Sequence, residues 1–154
     1  MNRERIEFEL EVLRRLINPK WIEISDNNER LYLYTGEHQF TLQIYLGLFP
    51  YAPPPVFVDR MLYDRRGNPL DAPSHDCHTL QASDGRTQIC YYKPSMWVTN
   101  ETLWNVYRLG VLWCQSYWNW INTGIETIDY WIKQNKENCN LLLNTNTTTK
   151  RKEQ

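Results

Sequence analysis

Four prolines crowd into the stretch PYAPPP, and together they exclude a helix there. Each proline lacks a backbone N–H and holds φ at about −65°, and each also biases the residue before it away from the helical region. Pro50, Pro53, Pro54 and Pro55 therefore fix an extended, rigid turn ahead of the short apolar run Val56 to Val58. Before the turn, Phe40, Leu42, Ile44 and Leu46 alternate with Thr41, Gln43 and Tyr45. That period of two belongs to a strand with one buried face. The prolines thus join two strands.

Trp21 to Ile24 and Leu31 to Tyr34 read as two earlier strands, with turns in the polar stretches Asp26 to Arg30 and Gly36 to Gln39. Four strands in this order form an antiparallel meander. Ahead of them, residues 3 to 16 place Ile6, Leu10, Leu13 and Leu16 on one side, with Phe8, Val12 and Ile17 widening the stripe, and Pro19 ends this amphipathic helix. After the fourth strand the periodicity vanishes from Asp59 to Gln88. A long irregular loop in a compact domain is usually functional or disordered. Helix returns after the potential caps Thr99 and Asn100, with Glu101 suited to the positive end of the helix dipole. Leu103, Val106, Tyr107, Val111, Cys114, Trp118 and Ile121 keep helical spacing up to a stop at Gly124. Ile125, Ile128, Trp131 and Ile132 mark a shorter helix, and from Asn140 the chain turns into a polar tail. The expectation is one domain over residues 1–139 and a disordered tail over 140–154.

At 154 residues the chain can bury a sizeable core, and its seven Trp, ten Tyr and four Phe make that core aromatic. Seventeen basic against eighteen acidic residues leave a net charge of −1, which offers no field for nucleic acid or anionic lipid. The charged amino end is no secretion signal, and no apolar run is long enough to span a membrane. A soluble, cytoplasmic protein with reduced thiols at Cys77, Cys90, Cys114 and Cys139 is expected.

In DGRTQICYYKPSMW, Cys90 follows an Asp-Gly turn and precedes Trp97. The residues alone leave three roles open for it: nucleophile, metal ligand or small core side chain. The segment YTGEHQFTLQIYLGLFPYAPPPVFV resembles a hairpin and strand leading into Tyr-Pro-x-x-Pro-Pro-x-Val, a pattern of ubiquitin-conjugating enzymes. His78, Gly85, Ile89-Cys90, Trp97 and the Glu101-Thr102-Leu103 helix start follow that family's order. The resemblance runs from about Arg3 to Ile121. It implies an α/β (α+β) fold of the ubiquitin-conjugating type, with an N-terminal helix, a four-stranded antiparallel meander, an active-site loop and C-terminal helices. It also implies a transferase whose Cys90 receives a protein's C-terminus as a thioester and passes it to an amine, with no cofactor of its own.

The family's His-Pro-Asn is replaced by His78-Thr79-Leu80, twelve residues before Cys90, so oxyanion stabilisation falls to backbone N–H groups, His78 or another side chain. With WCQSYWNWINTG, the departure is similar to the stand-alone conjugating-like proteins of bacterial anti-phage operons that signal with cyclic oligonucleotides (CBASS). Such a protein attaches the C-terminus of a cGAS-like nucleotidyltransferase to a target amine. The implied partners are that nucleotidyltransferase or a ubiquitin-like modifier, together with an activating enzyme. A catalytically inactive, RWD-type binding domain is the alternative.

Around Cys90, His78 is expected to shuttle protons or fix the loop. Asp84 either orients an amine or simply forms a turn, and Lys93 either lowers the thiol pKa, becomes acylated or stays solvated. Trp97 is expected beneath the active-site loop. His75, Cys77, His78 and Cys90 would be adequate zinc ligands, but Cys90 lacks a closely spaced partner. His75 reads as exposed, His38 as part of a hairpin turn, and Cys114 as a core thiol. Trp104, Trp113, Trp118 and Trp120 cannot share one helix face, so Trp113, Trp118 and Trp120 are assigned to a partner or self-association surface that would support a homodimer.

Overall fold

The computed structural model describes residues 2–36, 39–82 and 84–137. His38, Cys139 and the expected tail lie outside the described residues. Helix α1 (Arg3–Leu16) starts where the Asn2 side chain accepts the Arg5 N–H at 3.1 Å, and it ends as Ile17 turns extended two residues before Pro19. Ile6, Leu10, Leu13 and Ile17 are buried, but Phe8 and Leu16, expected in the stripe, are 64% and 52% exposed. Glu9 is buried in their place. Its carboxylate accepts the Leu103 N–H at 3.2 Å, so α1 presents a polar anchor to the second long helix, and the buried stripe runs through Ile6, Glu9, Leu10, Leu13 and Ile17.

After a 3₁₀ turn at Pro19–Trp21, strands β1 (Ile22–Ile24), β2 (Arg30–Tyr34), β3 (Thr41–Tyr45) and β4 (Val56–Val58) form the expected antiparallel meander. The sheet does not stop there. Strands β5 (Thr79–Leu80) and β6 (Thr87–Ile89) extend it to six, in the order β1-β2-β3-β4-β6-β5. The irregular loop expected from Asp59 to Gln88 is therefore partly strand, too short in each piece for a periodic signal. Leu31, Leu33, Leu42, Ile44, Val56, Val58 and Ile89 point into the core, paired as Leu33 with Leu42, Ile44 with Val56 and Val56 with Ile89.

Helix α2 (Leu103–Thr123) lies against this face. Its cap is Thr102, whose side chain accepts the Asn105 N–H at 3.0 Å, rather than Thr99 or Asn100. Glu101 already accepts the Thr102 N–H and the Asn105 side-chain amide, which delays the helix start. Gly110 brings α2 close to the sheet, since a Cβ there would fall 2.5 Å from Leu42 Cδ1. Gly124 closes the helix in the left-handed conformation, with φ 68°. A last helix, α3 (128–137), buries Ile128 and Asn135. Among the described residues, no helix is long and apolar enough to cross a membrane.

Candidate functional site

The site forms where β5, β6 and the start of α3 meet. Ser74 and Thr79 exchange two backbone hydrogen bonds of 3.2 Å, closing a tight turn through His75, Asp76, Cys77 and His78. The Ser74 hydroxyl accepts the Cys77 N–H inside that turn. His78 sits in the left-handed region at φ 50°, a conformation a non-glycine residue holds only when its surroundings enforce it. Two contacts enforce it here. The Cys90 N–H donates to the His78 carbonyl at 2.8 Å, and the His78 ring Nε2 lies 2.5 Å from Asp129 Oδ1 on α3.

Cys90 directly follows β6 and is half-buried. It lies on the wall of an open groove of about 490 Å³, with His75, His78, Leu80, Tyr92 and Lys93. Cys90 and His78 also border a smaller cavity of about 170 Å³ behind them, closed by Leu112 and Trp113 of α2 and by Ile132 and Lys136 of α3. The thiol is thus held by backbone at the boundary of two spaces.

The chain after Cys90 is fixed by the proline turn. Tyr91 donates its hydroxyl to the Pro54 carbonyl at 2.7 Å, and burial, with smaller contributions from nearby negative charge, pushes its phenol above the usual range. It is therefore a neutral donor at any ordinary pH. Trp97 donates its indole N–H to the Pro50 carbonyl at 2.8 Å and sets its ring edge-on to Phe49 and Tyr92. Tyr92 donates to Glu101 Oε2 at 3.0 Å, which ties the groove wall to the approach of α2.

Asp129 is held more firmly than a surface carboxylate. Besides His78, it meets Lys133 Nζ at 3.0 Å through Oδ2, and its backbone N–H donates to the Asp76 carbonyl at 2.9 Å. The hydrogen bond from His78, offset in part by burial and reinforced by Lys133, holds its carboxyl below the usual carboxylate range. Local sequence gave no sign of this pair, because 51 residues separate its members. The only available hint was an acidic residue in the first turn of a short helix.

The other expected residues divide. Lys93 lines the groove. Asp84 does not reach it: its carboxylate pairs with Arg86, whose hydrogen bond holds the carboxyl below its ordinary value. Arg86 in turn donates to Gln43 and the Tyr45 hydroxyl and lies 4.0 Å from the Phe57 ring centroid, which anchors the Asp-Gly turn to the outer sheet face. Trp113 is 1% exposed, donates to the Cys77 carbonyl and stacks on Tyr117, so it is a core residue and not part of a partner surface. Trp104 and Trp120 are half-buried, and Trp118 is 48% exposed.

Cys114 is fully buried, and burial pushes its thiol far above the usual range. Burial also raises the Cys77 thiol, and Cys77 faces a different cavity from Cys90, beside Asp64 and Trp120. The potential zinc set is split accordingly. Among the described residues, no three His, Cys, Asp or Glu are grouped to hold a metal ion. No protein-family model matches the chain, and neither the curated proteins nor the solved structures give a match.

Proposed function

We propose that the chain is a ubiquitin-conjugating-like transferase that carries a protein's C-terminus on Cys90 and passes it to an amine. One observation supports this above the rest. Cys90 is a half-buried thiol on the wall of an open groove, held by its own N–H to a constrained turn, whereas the Cys114 thiol is sealed in the core. A groove of about 490 Å³ is within the range of small-ligand sites and has room for the last few residues of an extended chain.

The chemistry has two balanced steps. In loading, the Cys90 thiolate attacks the activated carbonyl of the incoming C-terminus; a C–S bond forms and the activating group leaves. In transfer, an amine attacks that thioester; a C–N bond forms, the C–S bond breaks and Cys90 is released as thiolate. A thiol suits both steps because it is strongly nucleophilic even at low thiolate fraction, and because its thioester stays reactive toward amines. The carried protein is a cGAS-like nucleotidyltransferase or a ubiquitin-like modifier, and bacterial anti-phage defence is the proposed setting. Where an activating enzyme supplies the C-terminus, ATP is consumed there, and this chain needs no cofactor.

Incubation with an activating enzyme and either class of C-terminus tests the reading. A covalent adduct that thiols cleave, absent in Cys90→Ala, is the expected result. A folded wild-type protein that never forms one would leave the groove as a docking surface without chemistry.

A further inference from the structure

We propose that Asp129 is a positioning residue that aims the His78 imidazole into the groove, so that His78 takes the proton released when an amine attacks the acyl group on Cys90. The proposal rests on the carrier reading of Cys90 and adds to it the group that removes the proton.

The geometry supplies the tautomer. An ionised carboxylate can only accept hydrogen bonds, so the ring nitrogen 2.5 Å from Asp129 Oδ1 must carry a hydrogen. That nitrogen is Nε2. In the neutral ring Nδ1 then keeps its lone pair, as a general base requires. Asp129 is itself fixed from two further directions, by Lys133 Nζ on Oδ2 and by its own N–H on the Asp76 carbonyl. The imidazole therefore hangs between a strained backbone at φ 50° and a carboxylate that cannot swing away.

His78 and Cys90 border the same two cavities, and the His78 carbonyl accepts the Cys90 N–H, so a shift of one is felt by the other. The charged and titratable groups around the imidazole are Asp129 and Lys133 on α3, Lys136 across the inner cavity, His75, Asp76 and Cys77 in its own turn, and Cys90, Tyr91, Tyr92 and Lys93 along the two cavities. Asp129 alone among them is hydrogen-bonded to the ring and negatively charged there. In the transfer step the amine nitrogen bonds to the thioester carbon, its proton moves to His78 Nδ1, and the C–S electrons leave with Cys90 as thiolate. The imidazolium formed is paired with Asp129 until it returns the proton to water.

The test uses Cys90 loaded by exchange with a short peptide thioester of mercaptoethanesulfonate and discharged onto free lysine in a single turnover. Asp129→Asn, nearly the same size, is expected to slow discharge about tenfold or more and to change the shape of the pH–rate profile. His78→Gln should do the same, and the double variant should be no slower than the slower single one. Ring ¹⁵N shifts give a readout independent of transfer: wild-type His78 is expected as the Nε2–H tautomer, and Asp129→Asn as a mixture. Normal discharge by Asp129→Asn, losses that multiply in the double variant, or a wild-type Nδ1–H tautomer would overturn the proposal while leaving the Cys90 adduct intact. Failure of the wild-type protein to load at all would instead remove the carrier reading, and this proposal with it.

Discussion

Among the described residues, three cysteines share a side chain and differ in everything around it. Cys114 is sealed against the sheet, Cys77 is half-buried beside Trp120, and Cys90 opens to the groove. Brief alkylation with iodoacetamide under native conditions should therefore mark Cys90 and spare Cys114 until the protein is unfolded, as read by peptide mass spectrometry; equal labelling of both would contradict the burial pattern. A second residue-scale test concerns Glu9. Its buried carboxylate serves the N-terminus of α2, and Glu9→Ala would leave the Leu103 N–H without that acceptor, at a cost of about 1–3 kcal/mol in denaturant unfolding. Sequence pattern could not expose this role. A glutamate on a charged helix reads as solvated, and only the approach of a chain segment 94 residues away shows that it faces inward. The resemblance singled out Cys90 through its neighbours in register, while nothing singled out Asp129, because no spacing rule links it to His78.

At the scale of elements, α2 and α3 back the site and respond to different perturbations. Gly110→Ala would press a methyl group into Leu42 and should destabilise the fold by about 1–3 kcal/mol, despite alanine's better helix propensity, as measured by chemical denaturation. α3 is tied to the turn by Asp129, whose carboxyl titrates below its unfolded value. Such a group contributes stability that is fully present above the ordinary carboxylate pKa and is lost as pH falls through the lower folded value. Acid titration of wild type against Asp129→Asn should show this part of the acid limb missing from the variant; identical acid limbs would contradict it. Strands β3 and β4 were legible from alternation and prolines. β5 and β6 were not, because two or three residues cannot display a period, and their pairing is fixed by the β4 edge and the Ser74–Thr79 turn. The start of α2 was misjudged because Thr99, Asn100 and Thr102 are all capping residues, and Glu101 decided among them through bonds to Thr102 and Asn105.

For the whole molecule, the sheet gives one face to α1 and α2 as the core, and its β5–β6 end holds the groove. The proline turn, legible from the start, proves to act at a distance: its carbonyls at Pro50 and Pro54 receive Trp97 and Tyr91 and so hold the chain on the far side of Cys90. Rigidity in this stretch thus serves the thiol as well as the sheet. The aromatic richness is divided between core residues such as Trp113 and partly exposed rings such as Trp118.

The carrier role is tested most directly by intact-mass measurement of the protein isolated, under acidic non-reducing conditions, from cells that make it. The account predicts a fraction carrying an added polypeptide mass that disappears on treatment with thiol, persists under thiol as an ester in Cys90→Ser, and is absent in Cys90→Ala. A wild-type protein found only at its own mass, or the same adduct on Cys90→Ala, would contradict it.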